Sequence, residues 1–157
     1  MDAMLAVMRK HITKRFTEAG RTNCHHNYTE REVHDGRELW ITRKGAIRAR
    51  VGDRGIIPGS MGTGTYIVSG LGEPSSYHSA SHGAGRRFGR KEAQRRFTTT
   101  QLKAAMRGRT GQVDKAKELI DESPMAYKDI DQVMRDQADL VQVDHVLHAV
   151  LNYKGTS

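Results

Sequence analysis

Residues 55 to 68 read Gly55-Ile56-Ile57-Pro58-Gly59-Ser60-Met61-Gly62-Thr63-Gly64-Thr65-Tyr66-Ile67-Val68. Two short apolar runs flank a loop rich in glycine and hydroxyl side chains, which predicts two strands joined by a turn. The loop can present backbone amides and the hydroxyls of Ser60, Thr63 and Thr65 to an anion. A flexible hairpin loop explains the pattern equally well. It is not a Walker A loop, because no Gly-Lys-Ser/Thr ending follows.

Strands are also predicted on both sides of this stretch. Apolar and basic residues alternate from Ile47 to Val51, which predicts a strand with one buried and one basic face. A short strand is predicted from Tyr77 to Ser81, directly before His82. Residues 23–28 are too polar for a core strand and predict a loop. The tail over 140–153 alternates like a strand, and its valines and leucines favour a strand, although its apolar residues also fit a helix.

Helices are predicted where apolar residues recur at spacings of three and four. They cover residues 2–18, 89–97, 113–120 and 130–134, with a further helix beginning at the threonines 98–100. The 157 residues are the size of one domain. We therefore expect a single α+β domain over residues 1–157, with a layered, mixed β core and flanking helices.

The charge distribution indicates a polyanionic partner. The net charge is +8, and residues 1–111 contain 21 of the 26 basic residues. The densest run, from Arg86 to Arg96, has six basic residues opposed by Glu92 alone. Such density favours a nucleotide or nucleic-acid ligand, although a solvated helix face also explains it.

Cysteine content and hydropathy indicate a cytoplasmic protein. Cys24 is the only cysteine, so neither an internal disulfide nor a zinc site on paired thiolates is possible. No apolar stretch approaches the length of a membrane span, and residues 1–16 lack the apolar core of a signal peptide. We expect no membrane association.

The hexapeptide Ser81-His82-Gly83-Ala84-Gly85-Arg86 is the strongest candidate for a site. Glycines around Ala84 admit positive φ, so that successive backbone amides can turn toward one anion. Arg86 adds a planar, permanently charged fork suited to phosphate. A nucleophile or metal ligand beside a phosphate cradle is one interpretation, and a tight turn with an incidental histidine is the other.

Six motifs in order resemble those of RtcB-type RNA-splicing ligases. They are Cys-His-His-Asn-Tyr at 24–28, Thr-Arg-Lys-Gly-Ala at 42–46, Ile-Pro-Gly-Ser-Met-Gly at 57–62, Ser-His-Gly-Ala-Gly-Arg at 81–86, Pro-Met-Ala-Tyr-Lys-Asp-Ile at 124–130 and Lys-Gly at 154–155. The resemblance covers nearly the whole chain, but it matches only the carboxyl-terminal part of the family. It implies an RtcB-like fold that is incomplete relative to the family.

The resemblance implies a GTP- and manganese-dependent ligase for tRNA splicing or RNA repair. Such an enzyme joins an RNA 3′-phosphate or 2′,3′-cyclic phosphate end, as in tRNA halves or broken RNA, to a 5′-hydroxyl end. His82 would attack the α-phosphate of GTP, expel pyrophosphate and hold GMP through a phosphoramidate bond. The guanylate would pass to the RNA 3′-phosphate, and the 5′-hydroxyl would displace GMP. Imidazole suits this role because its ordinary pKa leaves it largely neutral at cytoplasmic pH.

The same resemblance assigns the other site residues. His26 is implied to bind the metal ion, Asn27 to contact the nucleotide and Lys154 to contact guanine. Thr65 stands where the family has a serine, and it keeps the hydroxyl. The remaining residues implied to line the guanylate pocket are Pro58, Gly59, Ser60, Met61, Gly83, Ala84 and Gly85.

Two functional interpretations remain open at this stage. In the resemblance, further metal ligands belong to an amino-terminal portion that has no counterpart here, so this chain supplies His26 alone. In the first, the chain is the guanylate-accepting part of a ligase, either a gene fragment or one half of a split enzyme that needs that portion in trans. In the second, it is a non-catalytic remnant that binds nucleotide or RNA. Exposed apolar surface is expected where the missing portion would pack. The RNA that is joined and the need for an archease-like activator are not specified by the sequence.

Overall fold

The computed structural model describes residues 1–12, 15–111 and 115–154, and it shows a mixed α+β fold. The strands are β1 (Asn27–His34), β2 (Arg37–Lys44), β3 (Ala46–Arg48), β4 (Arg54–Pro58), β5 (Thr65–Gly70), β6 (Ser79–Ser81), β7 (Thr110–Gly111), β8 (Val141–Leu147) and β9 (Leu151–Asn152). The α-helices are α1 (Asp2–His11), α2 (Arg90–Arg96), α3 (Thr99–Ala105) and α4 (Ile130–Asp136). Single turns of 3₁₀-helix cover Pro74–Ser76, Ile120–Glu122 and Pro124–Ala126.

Small sheets, rather than one large sheet, form the β layer of the described chain. Antiparallel pairs join β1 with β2 and β3 with β6, and a three-stranded antiparallel sheet has the order β4-β5-β8. A short parallel pair joins β7 with β9. The main apolar core lies between these sheets and α4, and includes Ile47, Ile57, Val68 and Ile130. A second cluster contains Met61, Leu102 and Met106.

The predicted strands around the glycine loop are confirmed, with two differences. The strand predicted over Tyr77 to Ser81 begins only at Ser79, because Tyr77 and His78 have positive φ, and the strand at Ile47 is shorter than predicted. β4 and β5 flank the loop, and β6 leads directly into His82. The strand expected from Ile47 to Val51 ends at Arg48, and Val51 is 82% exposed. The chain turns there, because the amide of Asp53 donates to the carbonyl of Arg50 at 2.9 Å. The predicted tail strand is also confirmed, as β8 and β9.

The helical predictions are confirmed in three of their regions, and two need correction. Helices α2, α3 and α4 lie where they were expected, and a capping box at Thr98 and Gln101 starts α3. The helix predicted over 2–18 ends at His11, since Ile12 is extended; residues 13–14 lie outside the described part. For the helix predicted over 113–120, residues 112–114 also lie outside it, and the stretch from Lys115 to Leu119 contains turns rather than an α-helix.

Helix α1 carries an apolar stripe that contacts no core. None of its residues is buried, and Met4 is 69% exposed. Val143, Val146 and Leu147 on β8 are exposed as well. Exposed apolar side chains are therefore present on α1 and on β8, and packing of a missing portion against them stays a prediction. No helix in the described ranges is both long and apolar enough to cross a bilayer.

The hairpin of β1 and β2 was not predicted. Its turn, Asp35-Gly36, has φ of 51° and 74°, and Asp-Gly is a known signal for this hairpin turn. Its inward-facing residues are polar, and they include Glu32, His34 and Arg43. A search for alternating apolar residues therefore misses it.

Arg43 is only 2% exposed and fixes the hairpin to the chain before His82. Its guanidinium binds both carboxylate oxygens of Glu32, one of them at 3.2 Å, and donates to the hydroxyl of Tyr28 at 3.3 Å. It also donates to the hydroxyl of Ser79 at 3.0 Å and to the carbonyl of Tyr77 at 2.9 Å. A buried charge is tolerated only when it is paired and hydrogen-bonded in this way.

Candidate active site

His82 lies at the end of β6, and its ring is oriented by the turn between β2 and β3. Its Nδ1 lies 2.6 Å from the carbonyl oxygen of Gly45. Because a carbonyl oxygen only accepts hydrogen bonds, Nδ1 is the donor in this contact. The neutral ring therefore carries its lone pair on Nε2, the nitrogen that a nucleophile needs.

Gly45 also connects His82 to His26 and Asn27. Its amide donates to the carbonyl of His26 at 2.8 Å and to Oδ1 of Asn27 at 3.2 Å. The rings of His26 and His82 are stacked, with centroids 5.0 Å apart and planes inclined by 16°. The structure thus brings together the residue predicted to bind metal and the predicted nucleophile.

Glycine is strongly favoured at position 45. Its φ of +74° lies in the left-handed region, and a Cβ there would lie 3.3 Å from Cε1 of His82. That distance is shorter than ordinary van der Waals contact. The absence of a side chain at Gly45 is therefore part of how His82 is positioned.

The two glycines after His82 have different roles. Gly85 has the positive φ expected of both, +71°, whereas Gly83 does not. A Cβ on Gly83 would lie 3.0 Å from the carbonyl oxygen of Pro58, which accepts the amide of Ala84 at 3.0 Å. Gly83 thus permits close packing of two backbones, and the Ala84 amide binds Pro58.

The glycine loop after β4 is held mainly by its own hydrogen bonds. The amide of Gly59 donates to the carbonyl of Gly64 at 2.9 Å, and the amide of Ser60 donates to the hydroxyl of Thr63 at 2.6 Å. The Ser60 and Thr63 hydroxyls lie 3.0 Å apart. The sequence predicts that these groups face an anion. Many of them instead bond to one another, so the loop is held in one conformation along the side of the cleft.

These backbones border an open cleft of about 480 Å³. Every residue predicted to contact the nucleotide lines this cleft except His26 and Asn27. Three more lining residues are Arg86, Tyr127 and Asn152. The lining residues among those predicted are Pro58, Gly59, Ser60, Met61, Thr65, His82, Gly83, Ala84, Gly85 and Lys154.

Two of the lining residues were missed by sequence reasoning. Tyr127 lies within the motif at 124–130, and its backbone bridges that of Arg86. Asn152 donates from its amide to the carbonyl of Met61 at 3.2 Å. The motif at 124–130 includes Tyr127 without assigning it a role, and a lone asparagine carries no spacing signal, so only the fold places both residues at the cleft.

Arg86 is held along the wall of the cleft. Its Nε donates to the carbonyl of Phe88 at 3.0 Å, and one terminal nitrogen donates to the Tyr127 hydroxyl at 3.1 Å. Its guanidinium carbon lies 4.9 Å from the centre of the Tyr127 ring. Its terminal nitrogens also contact the Asp121 carbonyl and the Glu122 carboxylate, so the guanidinium is fixed at the cleft wall, and its binding of phosphate stays a prediction.

A second cleft, of about 540 Å³, lies beside the base of the β1–β2 hairpin. Its charged residues are largely paired with one another: Arg48 binds Asp53 at 2.7 Å and Glu30 at 3.4 Å. None of the predicted site residues lines it. The chemistry of the chain therefore points to the cleft at His82.

Comparison with known proteins identifies the family. A family model described as tRNA-splicing ligase RtcB matches residues 1–155. This chain belongs to the RtcB family. An Escherichia coli protein named RNA-splicing ligase RtcB1 is 48% identical over 159 residues, which cover 99% of this chain and 38% of the relative.

Two further RtcB relatives support the assignment. The RNA-splicing ligase RtcB of Escherichia coli strain K12 is 52% identical over 85% of this chain and 32% of its own length. The tRNA-splicing ligase RtcB of Aeropyrum pernix is 38% identical over 69% of this chain and 27% of its own length. The chain thus spans about a third of the length of the curated RtcB proteins that it matches.

The described residues do not form the manganese site that the resemblance to RtcB implies. A catalytic metal ion normally needs about three protein ligands. The group of three ligand side chains found in the described ranges is Glu32, His34 and His78, whose ligand atoms lie within 4.8 Å of one another, and it does not include His26. His26 alone is too small a ligand set for Mn²⁺.

The cluster at Glu32 is itself a poor cation site. Its carboxylate accepts from His34 at 2.9 Å and from Arg43, and pairs with Arg50 at 3.3 Å. Burial alone would raise the pKa of Glu32, but hydrogen bonds from Arg43, His34 and Arg50 lower it to about 2. Two guanidinium groups already exceed the charge of the one anionic ligand, so a divalent cation would be repelled.

Proposed function

We propose that this chain is the guanylate-accepting part of an RtcB-type RNA ligase, with His82 as the nucleophile. The observation that carries the proposal is the hydrogen bond from Nδ1 of His82 to Gly45, which leaves Nε2 as the reactive nitrogen. His82 lines a cleft that Arg86 and Lys154 also line. A fixed imidazole beside two cations is suited to attack on a nucleotide phosphate.

The proposed reaction has three displacements at phosphorus. Nε2 of His82 attacks the α-phosphorus of GTP, so that a P–N bond forms while the P–O bond to pyrophosphate breaks. A 3′-phosphate oxygen of RNA then attacks the guanylate phosphorus, the P–N bond breaks, and the imidazole leaves neutral. Finally, the RNA 5′-hydroxyl attacks the activated 3′-phosphate, GMP leaves, and the hydroxyl proton is lost to solvent.

We propose that the part of an RtcB protein that this chain does not match completes the site. The name of the family refers to RNA splicing, and this chain matches about a third of its relatives' length. Since the described residues offer His26 as the one implied metal ligand, any Mn²⁺ would take its other ligands from that remaining part.

The test is covalent labelling with GTP that carries ³²P at the α-phosphate. The purified chain is incubated with Mn²⁺, alone and together with the unmatched portion of the K12 relative, and then denatured. An acid-labile label that survives denaturation and is lost in His82→Ala supports the proposal. His145→Ala, on the exposed strand β8, is the matched histidine control and keeps the label. No label in either mixture excludes catalysis by this chain.

A second candidate function is RNA binding without turnover. Two observations favour it. The described residues offer His26 as the one implied metal ligand, which is too few for a catalytic metal ion, and Lys91 and Arg95 on α2 are exposed and can contact phosphates. In that case, His82→Ala leaves the affinity for RNA unchanged, and no label appears. Because phosphate contacts release counterions, the affinity falls steeply as salt rises.

A further inference from the structure

The carboxylate of Glu122 lies behind the wall of the cleft, where three lining residues converge. The hydroxyl of Tyr127 donates to its Oε2 at 2.6 Å. Nζ of Lys154 lies 3.5 Å from the same oxygen, and Arg86 lies 3.5 Å from Oε1. The Glu122 side chain is only 14% exposed and does not line the cleft itself. It therefore acts on the cleft through its neighbours.

The backbone holds Glu122 firmly. It ends the 3₁₀ turn Ile120–Glu122, and Pro124 begins another turn after Ser123, which is fully buried. On the outer side, Arg90 donates to Oε1 of Glu122 at 2.7 Å. Short turns on both sides and a bond to α2 thus fix the carboxylate.

Glu122 remains ionised in this setting. Burial alone would raise its pKa, but the hydrogen bond from Tyr127 and the charges of Lys154, Arg90 and Arg86 lower it. The pKa of Tyr127 is raised, mainly by burial and next by the same hydrogen bond to Glu122. The tyrosine therefore stays a donor to the carboxylate.

We propose that Glu122 is the positioning residue that sets the preference of the cleft for guanine over adenine, through Lys154 and Tyr127. This inference rests on the proposed function, in which Lys154 contacts the base. Guanine presents the O6 acceptor where adenine presents an amino donor. An ammonium group held at that position binds guanine and meets an unmatched donor in adenine.

The carboxylate is needed because lysine is long and flexible. A lysine ammonium sits on a four-carbon stem and samples many positions unless a partner holds it. Glu122 supplies that partner, and it also fixes the hydroxyl of Tyr127 on the same oxygen. Sites that match a substrate's hydrogen bonds discriminate strongly against an analogue that lacks them.

The experiment compares guanylylation with adenylylation in Glu122→Gln, measured as the ratio of kcat/KM for GTP and ATP. We expect the ratio to fall about tenfold, which corresponds to one charge-assisted hydrogen bond, and to fall mainly through KM for GTP. Glu118→Gln, on an exposed residue, is the matched control and keeps the wild-type ratio.

A double-mutant cycle separates this role from a general structural one. If Glu122 acts through Lys154, then Lys154→Gln lowers the ratio by a similar factor, and the double variant is no worse than either single variant. The inference would be overturned if the ratio in the double variant fell by the product of the two single losses, or if the ratio in Glu122→Gln were unchanged. Should Glu122→Gln fail to fold, Glu122→Asp decides: it keeps the charge but shortens the reach, so the ratio still falls.

A binding measurement separates failure of this inference from failure of the proposed function. Wild-type chain that is never labelled refutes guanylylation, and calorimetric titration with GMP and AMP then tests Glu122 directly. The wild-type chain should prefer GMP, and Glu122→Gln should lose that preference. Equal binding of GMP and AMP by the wild-type chain contradicts the inference.

Discussion

Replacing Gly45 with alanine tests how His82 is positioned. Alanine at φ of +74° costs about 1–2 kcal/mol of folding stability, because its Cβ approaches the backbone in the left-handed region. The new Cβ would also lie 3.3 Å from Cε1 and 3.4 Å from Nδ1 of His82. The ring must therefore move by a few tenths of an ångström or lose its bond to the Gly45 carbonyl.

The magnitude of each effect can be separated. For a chain of this length, 1–2 kcal/mol lowers Tm by about 5 °C. A misplacement of about 1 Å at a reacting group can cost about a hundredfold in rate, so a shift of a few tenths is expected to slow guanylylation about tenfold. The loss of stability comes from backbone strain, and the loss of rate comes from the contact with His82. A control variant should therefore have the same backbone strain without that contact.

Gly36→Ala is that control. Gly36 has the same φ of +74°, in the turn of the β1–β2 hairpin, and a Cβ there would meet nothing within 4 Å. Both variants should lose similar stability in thermal denaturation. Only Gly45→Ala should slow the labelling of His82 at a temperature where all three proteins are folded.

Nitrogen NMR of the histidine rings provides a readout that does not depend on activity. The wild-type chain should show His82 with the proton on Nδ1, whereas Gly45→Ala should show a mixture of tautomers. If Gly36→Ala and Gly45→Ala label at the same rate and have the same ring nitrogen shifts, the Gly45 carbonyl does not orient His82.

Three further predictions concern the buried network, the packing at Gly83 and the basic helix. Glu32→Gln should destabilise the fold by about 3–5 kcal/mol, because it leaves Arg43 buried without its counterion. Since the pKa of Glu32 is lowered to about 2, its contribution is complete above about pH 4.5 and should be lost as pH falls toward 2. Gly83→Ala should weaken nucleotide binding and speed hydrogen exchange of the Ala84 amide, because a Cβ would lie 3.0 Å from the Pro58 carbonyl. Replacing both Lys91 and Arg95 with glutamine should lower the salt dependence of binding to single-stranded RNA, by about 0.7 in the log–log slope per lost phosphate contact.

Each of these has a matched comparison. Glu38→Gln removes an exposed glutamate of the same hairpin and should leave Tm nearly unchanged; an equal loss in both variants contradicts the buried-network argument. Gly89→Ala adds a Cβ that meets nothing within 4 Å, so the same weakening of nucleotide binding there would mean that packing against Pro58 is unimportant. Arg37→Gln, at the far end of the hairpin, should keep the wild-type salt slope; a slope that is unchanged in the α2 variant argues against RNA contact at that helix.

The sequence predicts the parts of the fold that follow apolar patterns. Ile56, Ile57 and the run from Tyr66 to Val68 identify β4 and β5, and the glycines between them identify the loop. The hairpin of β1 and β2 cannot be found in this way. Its buried Glu32 and Arg43 stabilise one another only once both strands and the chain at Tyr77 are in place, which is a tertiary effect.

The candidate site is predicted better than its internal bonding. Motifs far apart in the sequence identify most of the cleft, including Pro58 and Lys154. They do not show that the Ala84 amide is engaged by Pro58, or that the hydroxyls of the glycine loop bind one another. Glu122 carries no motif signal, because an acidic residue near a proline has many ordinary explanations, and only the distances show that its carboxylate contacts Arg86, Tyr127 and Lys154.

The buried guanidinium of Arg43 has a consequence for how this chain can be divided during evolution. It donates hydrogen bonds to Glu32 of β1 on one side and to Tyr77 and Ser79 on the other. A gene fission or recombination point between residues 44 and 77 would keep Arg43 with Glu32 but would remove the Tyr77 carbonyl and the Ser79 hydroxyl, and the buried guanidinium would lose two of its hydrogen-bond acceptors. The β1–β2 hairpin, which directly follows His26, and the strand that leads to His82 should therefore be inherited together, as a single cooperative unit.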